Sequence, residues 1–248
     1  MKPKVIAHRG ASVEAPENSL AAFQRAIDAG ADMIELDVRL TRDGAVVVLH
    51  DGSLERTTTG RGAVHELTLE QVRQAHVLAP GGGVYEPRES PPLLLEALEL
   101  ARGKVGVNVE IKGVPECSDE LVAGVLAAID ASGVAPEELI ISSFDHGLLA
   151  RIAALRHDLA LAPLFSRPVE QWESLPGAGL HPHHALVDEA FMTAARRAGR
   201  FVNVWTVNEP ARQLELVRLG VDGIITDDPR SLRRLLAGGG GEGGGGGS

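Results

Sequence analysis

Two carboxylates spaced two residues apart are the first side chains in this sequence that could do chemistry. In the stretch Met33-Ile34-Glu35-Leu36-Asp37-Val38, apolar and polar residues alternate, which indicates a strand whose successive side chains point to opposite faces. Glu35 and Asp37 therefore share one face. Because two buried carboxylates repel each other and are costly to desolvate, the pair predicts a bound cation, and hard oxygen ligands suit Mg²⁺ or Ca²⁺. The alternative is an exposed edge strand with a polar outer face.

Other polar side chains recur at one end of successive predicted strands. His8 and Arg9 end the first strand, and His50 ends the β run that follows the carboxylate pair. A later strand carries three polar residues on one face, and more polar residues lie at or just past the last strand ends. These residues are Asn108, Glu110 and Lys112, then Ser143, Trp205, Asn208 and Asp227. Barrel enzymes gather their catalytic groups at the carboxyl ends of strands, so this recurrence predicts one shared site.

The elements that must position these residues alternate between strand and helix. Leu20, Phe23 and Ile27 form one apolar stripe of a helix that Asn18 or Ser19 can cap. The later helices are predicted over 93–101, 119–131, 146–156, 189–198, 211–219 and 229–236, and the later strands over 105–111, 139–143, 159–164, 179–181, 201–207 and 223–226. About eight strands result, which predicts an α/β fold, a (β/α)₈ TIM barrel. A doubly wound open sheet is the alternative, but no Gly-x-Gly-x-x-Gly follows the first strand.

Two segments depart from this alternation. Residues 52–91 hold several Gly and Pro and one short helix that a Thr68/Gln71 capping box would start, and they are predicted to form an insertion over one end of the domain. Residues 238–248 are nearly all Gly and are predicted to be a disordered tail or linker. One barrel domain is therefore expected over residues 1–237.

Composition limits the classes of function. The formal net charge of −10 argues against a nucleic-acid surface, which needs clustered Lys and Arg. Aromatic residues make up only 3% of the chain, so the core must be built from Ala, Leu, Val and Ile. Cys117 is the only cysteine, which fits a reducing compartment. With no signal-peptide pattern and no run that could span a bilayer, we expect a cytoplasmic protein without stable membrane association.

Taken together, the motifs resemble those of the glycerophosphodiester phosphodiesterase family over residues 4–236. The matching motifs are His8-Arg9-Gly10, Pro16-Glu17-Asn18-Ser19, Glu35-Leu36-Asp37-Val38, His50-Asp51, Glu110-Ile111-Lys112, Ser143-Phe144, Trp205-Thr206-Val207-Asn208 and Asp222-Gly223-Ile224-Ile225-Thr226-Asp227. The resemblance implies a TIM barrel with a small insertion after the second strand region. It also implies a hydrolase that cleaves small-molecule glycerophosphodiesters to sn-glycerol 3-phosphate and an alcohol.

The resemblance further implies a role for individual residues. It makes Glu35, Asp37 and Glu110 the ligands of one divalent cation, Mg²⁺, Ca²⁺ or Mn²⁺. It makes His8 and His50 the acid–base pair, and it gives the contacts with substrate to Arg9, Lys112 and Trp205. Supporting roles fall to Glu17, Asn18 and Asp51. Which histidine is the acid, and whether water or the glycerol hydroxyl attacks, stay open at this point.

Some features remain outside this assignment. Pro91-Pro92-Leu93 stands where the family usually has Thr-Leu-Glu before a helix. His181, His183 and His184 are interpreted as loop or surface residues, because no carboxylate or Cys has the spacing of a second metal site. Two other functions compete with the first: a lysophospholipase D-like phosphodiesterase, which needs an apolar rim, and a non-catalytic barrel that binds a phosphodiester.

Overall fold

The computed structural model of the chain describes residues 2–112 and 118–238. The predictions for Cys117 and for residues 239–248 lie outside the described residues. Nine strands and eight α-helices occur within the described ranges. The strands are β1 (Lys4–His8), β2 (Met33–Leu40), β3 (Val46–Val48), β4 (Gly106–Ile111), β5 (Leu139–Ser143), β6 (Ala160–Phe165), β7 (Gly179–Pro182), β8 (Phe201–Val204) and β9 (Gly223–Thr226). The helices are α1 (Leu20–Asp28), α2 (Leu69–Arg73), α3 (Leu94–Ala101), α4 (Ser118–Ser132), α5 (His146–Leu155), α6 (Glu189–Arg197), α7 (Pro210–Leu219) and α8 (Pro229–Gly238).

All strands except β3 are parallel and close into a barrel. β1 pairs with β2 on one side and with β9 on the other, and the remaining parallel strands follow in the order β4, β5, β6, β7 and β8 between them. β3 is the additional strand and runs antiparallel to β2. The predicted (β/α)₈ TIM barrel is confirmed, and its parallel strands carry all their carboxyl ends to one mouth.

Aliphatic side chains fill this barrel on both sides of the strands. The outer faces of the strands pack against the helices through small and branched residues such as Ala26, Ile34 and Leu98, which are fully buried. A separate cluster lies among strand residues of the barrel itself: Ile6, Met33, Ile140, Ala162 and Ile225. Branched aliphatic residues are the usual filling of a closed barrel, which explains how so few aromatic residues suffice.

The segment between β3 and α3 leaves the barrel and builds a small core of its own. Leu54, Val64 and Val72 pack there against Val47 of β3. Within it, the predicted capping box is present, because the Thr68 hydroxyl accepts the backbone N–H of the residue three positions on and that residue's amide oxygen accepts the N–H of Thr68. This segment begins directly after His50, so its packing holds in place the part of the chain that follows His50 at the mouth of the barrel.

Three local predictions need correction or refinement. His181 is not a loop or surface residue: it lies in β7, is fully buried, and sits 3.0 Å from the Asn203 side chain. Burial lowers the pKa of His181 to about 3, so the ring is neutral. β8 is shorter than predicted and ends at Val204. The next residue, Trp205, pairs with His183 only through an isolated bridge, which does not extend the strand. α3 begins without a side-chain cap at Leu93, whose N–H donates instead to the carboxylate of Glu96 at 2.7 Å.

Candidate active site

Three carboxylates meet at the mouth formed by β2 and β4. The register of this strand pair sets Asp37 opposite Glu110 and Glu35 opposite Asn108. Glu35, Asp37 and Glu110 are 2%, 1% and 8% exposed, and each offers a carboxylate oxygen within 4.8 Å of the other two. The two carboxylates that share a face of one strand are thus joined by a third from its neighbour.

The positive charge near these three carboxylates is too small for all of them to be ionised at once. Burial and the charge of Asp37 raise the pKa of Glu35 to about 8, and the same two causes raise the pKa of Glu110. Burial also acts to raise the pKa of Asp37, but Lys112 and Arg9 outweigh it and hold that pKa below its usual range. In addition, Glu35 Oε1 is buried without a hydrogen-bond partner. This set of oxygens can therefore accept a further cation.

Two cationic side chains border these carboxylates. Lys112 Nζ lies 3.0 Å from Asp37 Oδ1 and donates to Glu110. Arg9 Nε lies 3.2 Å from Asp37 Oδ2, while the Arg9 backbone N–H donates to Glu35 at 2.9 Å. Arg9 has φ of 56°, a left-handed conformation that non-glycine residues rarely adopt. The chain makes this left-handed turn directly after β1, which ends at His8.

The two candidate catalytic histidines are each backed by a carboxylate. His8 Nδ1 lies 2.6 Å from Asp227 Oδ1, and His50 Nδ1 lies 2.7 Å from Asp51 Oδ1. An ionised carboxylate only accepts hydrogen bonds, so both Nδ1 atoms carry the proton and both Nε2 atoms are left for other partners.

The pKa values of the two histidines move in opposite directions. Burial alone would lower the pKa of His8, but its hydrogen bond with Asp227 and the charge of Glu35 outweigh burial and raise it. Burial lowers the pKa of His50, and the charge of Asp37 and the hydrogen bond with Asp51 offset this only in part. The two imidazoles are therefore prepared for different protonation states.

These residues surround one cavity of about 120 Å³. Its polar side is formed by the histidines, cations and carboxylates, and its apolar side by an edge-to-face pair, Phe144 and Trp205, with ring centroids 5.4 Å apart. The indole N–H of Trp205 donates to the His181 carbonyl at 2.7 Å, which fixes the ring. The polar side of the cavity could bind a charged or polar group of a substrate, and the apolar side could contact a small carbon skeleton.

The loop after β1 is held against the site by Asn18. Its side-chain amide donates to Asp37 Oδ2 at 2.8 Å, its Oδ1 accepts the Asp37 N–H at 3.2 Å, and its own N–H donates to the Arg9 carbonyl at 3.0 Å. Gly10 lets this loop lie on α1, since a Cβ there would come within 2.6 Å of the Ala22 backbone and φ is +84°. Glu17 accepts a hydrogen bond from Arg9 at 2.7 Å.

Sequence reasoning left three residues of this site without a role. The sequence marks Asp227 as a strand-end residue within a family motif and assigns it no role, although it partners His8 and itself accepts from Asn208 at 2.5 Å. The sequence offers Phe144 only as part of a motif and gives no signal for Arg56. Ser143, by contrast, turns away from the cavity and donates to the Ile111 carbonyl at 2.8 Å. The recurrence of polar residues at strand ends does not separate these cases.

The donor set fits a hard divalent cation. Within residues 2–112 and 118–238, Glu35, Asp37 and Glu110 form a buried group able to offer three carboxylate oxygens to one ion, and such oxygens are the ligands that Mg²⁺ and Ca²⁺ prefer. In the same part of the chain, no helix combines the length and apolar character needed to cross a bilayer.

Comparison with known sequences identifies a family for this chain. The sequence model of the glycerophosphoryl diester phosphodiesterase family matches residues 8–231. A glycerophosphodiester phosphodiesterase of Caldanaerobacter subterraneus subsp. tengcongensis is 37% identical over 241 residues, covering 95% of this chain and 98% of that protein.

Solved structures agree with the sequence relatives. An Oleispira antarctica phosphodiesterase, solved in complex with the product sn-glycerol-3-phosphate, superposes with a TM-score of 0.88 at 31% identity, covering 95% of this chain and 97% of that one. A glycerophosphodiester phosphodiesterase of Agrobacterium tumefaciens has a TM-score of 0.78 at 28% identity, with 93% and 99% covered. The chain therefore belongs to the glycerophosphoryl diester phosphodiesterase family, and the predicted class of enzyme is confirmed.

Proposed function

We propose that this enzyme hydrolyses glycerophosphodiesters to sn-glycerol 3-phosphate and an alcohol, and that the reaction depends on one divalent cation and on acid–base catalysis by His8 and His50. The observation that carries this proposal is the convergence of three buried carboxylates, two cationic side chains and two carboxylate-backed histidines on one cavity. The Oleispira relative, which holds sn-glycerol-3-phosphate as product, supports the same product here.

Glu35, Asp37 and Glu110 would hold the cation. When bound, Mg²⁺, Ca²⁺ or Mn²⁺ supplies positive charge that polarises the phosphate oxygens and offsets their developing charge. The raised pKa values of Glu35 and Glu110 support this assignment, because they reflect carboxylates that repel one another in a buried position. A cation relieves that repulsion and allows all of them to ionise.

Arg9 and Lys112 are proposed to bind the phosphate oxygens. A phosphodiester carries one negative charge, which spreads over more oxygens as the nucleophile approaches, and fixed cations aimed at those oxygens lower the barrier. The guanidinium of Arg9 can pair with two oxygens at once, whereas Lys112 acts as a point charge. Both side chains line the cavity and both are already oriented by contacts with Asp37.

The two histidines are proposed to divide the proton transfers. His50, whose pKa is lowered, is neutral near pH 7 and takes a proton through Nε2 from the attacking water, whose oxygen bonds to phosphorus as the P–O bond to the alcohol breaks. His8, whose pKa is raised, is protonated more readily and gives a proton to the departing alkoxide. Paired groups whose surroundings move their pKa values apart are the usual arrangement for such a division of roles. Trp205 and Phe144 would receive the carbon skeleton.

The experiment is turnover of glycerophosphocholine by the purified enzyme, with product identified as sn-glycerol 3-phosphate. We expect EDTA to abolish turnover and Mg²⁺, Ca²⁺ or Mn²⁺ to restore it. The matched variants are Glu35→Gln, which removes a proposed ligand, and Glu189→Gln, an exposed glutamate on α6 that should leave turnover unchanged.

Three results would contradict the proposal. Full turnover in a demonstrably metal-free preparation would exclude the cation. Faster cleavage of a lysophospholipid than of glycerophosphocholine would favour the lipid substrate. Binding of glycerophosphocholine without cleavage, in the presence of every candidate cation, would favour a non-catalytic barrel.

A further inference from the structure

Arg56, in the segment that leaves the barrel after His50, bridges two carboxylates at the rim of the cavity. Its Nε and Nη2 donate to Asp51 at 2.5 and 3.0 Å. Its Nη1 and Nη2 donate to Glu17 at 2.7 and 2.8 Å. Glu17 belongs to the loop after β1 and lies 39 residues away along the chain. One guanidinium therefore joins two separate loops of the mouth.

Each of these carboxylates also holds a residue that lines the cavity. Glu17 Oε1 accepts from Arg9 at 2.7 Å, and Asp51 Oδ1 lies 2.7 Å from His50 Nδ1. The contacts thus run without a break from Arg9 through Glu17, Arg56 and Asp51 to His50. We define this series of five side chains as the rim chain.

We propose that Arg56 is a positioning residue of this enzyme, which holds Glu17 and Asp51 so that Arg9 and His50 face the cavity in their working orientations. The inference rests on the proposed function. Arg56 itself does not line the cavity. Without it, Glu17 and Asp51 would be neighbouring carboxylates with one site partner each, free to rotate toward solvent.

The geometry requires an arginine rather than any positive charge. The planar guanidinium presents fixed donors that pair with two carboxylates at once, whereas an ammonium is a point charge on a flexible stem. Asp51, when held in place, accepts the Nδ1 proton of His50 and so leaves Nε2 as the free ring nitrogen. If Asp51 swings away, that tautomer is no longer selected.

A second arginine offers a matched control. Arg156 also bridges two carboxylates, with Nε and Nη2 each 2.8 Å from Asp158 and Nη1 2.7 Å from Asp130. It follows α5 and precedes β6, so it lies at the opposite end of the barrel from the cavity. The two arginines share their chemistry and differ in whether their partners reach the site.

The experiment compares Arg56→Ala, Arg56→Lys, Arg156→Ala and Arg156→Lys with wild type. Partners that orient a working side chain are commonly worth about 10–100-fold in activity, so we expect both Arg56 variants to lose about that factor in kcat for glycerophosphocholine. The cation concentration that half-restores turnover should stay unchanged. Both Arg156 variants should keep wild-type kcat. Urea midpoints should stay near wild type in all four, because exposed ion pairs contribute little to stability.

Two further readouts separate positioning from a general structural effect. Guanidinium ion at a non-denaturing concentration should restore part of the kcat of Arg56→Ala, whereas ammonium at the same ionic strength should not. In ¹⁵N-histidine NMR spectra, His50 should carry its proton on Nδ1 in wild type and Arg156→Ala, and should populate both tautomers in Arg56→Ala.

The outcomes distinguish this inference from the proposed function. If wild type turns over and Arg56→Ala keeps its kcat, the positioning role is wrong while the function stands. If both arginines reduce kcat equally, or if the loss follows the urea midpoint, the effect is structural and the inference fails. If wild type shows no turnover, the proposed function fails. In that case the NMR comparison of the His50 tautomer in wild type and Arg56→Ala decides by itself whether the rim chain orients the His50 ring.

Discussion

Replacing Glu35 by glutamine should stabilise the metal-free protein while weakening its response to metal. Glutamine keeps the shape of glutamate and removes its charge. Its Oε1 can still accept the Arg9 N–H that Glu35 accepts at 2.9 Å. Its amide N–H₂ takes the place of the carboxylate oxygen that lacks a partner and can donate to a neighbouring carboxylate. The substitution therefore removes repulsion without opening a cavity.

The magnitude follows from the pKa of Glu35, which burial and Asp37 raise from 4.5 to about 8. Because the pKa is higher in the folded than in the unfolded state, the folded protein binds the proton more tightly, and its stability falls as pH rises between these two values. The loss is about 1.4 kcal/mol per pH unit. It reaches roughly 3 kcal/mol at pH 7, and it grows by about 2 kcal/mol between pH 6 and pH 8.

The assay is urea unfolding of wild type and Glu35→Gln at pH 6, 7 and 8, first in EDTA and then with Mg²⁺. Subtracting one profile from the other removes the titrations that both proteins share. In EDTA the variant should be more stable, by a margin that widens with pH. With Mg²⁺ at about 100 times its dissociation constant, wild type should gain about 2.7 kcal/mol, and the variant should gain less.

A variant that is less stable than wild type in EDTA at every pH would refute the reasoning. So would a stability difference that does not change between pH 6 and pH 8, because the carboxylates would then not repel one another as their burial implies. Equal gains in stability from Mg²⁺ in the two proteins would refute the role of Glu35 as a ligand.

The remaining predictions concern the histidines and the loop after β1. His8→Ala and His50→Ala should each lower turnover of glycerophosphocholine by roughly 10²–10⁴-fold, and a nitrophenyl phosphodiester, whose leaving group needs no proton, should restore turnover only in His8→Ala. Asp227→Asn removes the charge that raises the pKa of His8, so the limb of the kcat/KM profile that belongs to His8 should move to lower pH. If that limb of the pH profile does not move, Asp227 does not control the pKa of His8. Gly10→Ala should lower the urea midpoint clearly, because its Cβ would meet the Ala22 backbone; an unchanged midpoint would show that the loop adjusts freely.

Much of the fold could be predicted because its signals are local. The alternation around Glu35 and Asp37 depends only on the period of a strand, and the start of α2 depends only on Thr68 and Gln71. The repeated order of strand and helix then limits the topology, since parallel strands joined by helices must either form an open sheet or close. Because the motifs lie at the carboxyl ends of successive strands, this topology also predicts that the candidate catalytic and ligand residues meet at one mouth of the barrel.

Contacts between distant parts of the chain could not be predicted in this way. Asp227 is 219 residues from His8 and meets it only because β1 pairs with β9 where the barrel closes. Arg56 joins two loops whose approach depends on how the segment after β3 packs. His181 stands close to two other histidines in the sequence, yet it lies in β7, which pairs with β6 and β8, and it is fully buried. The sequence determined which residues carry chemistry and which strands present them, since these depend on chain neighbours. Only the tertiary structure decided which carboxylate orients which histidine, because hydrogen bonding and burial depend on neighbours in space.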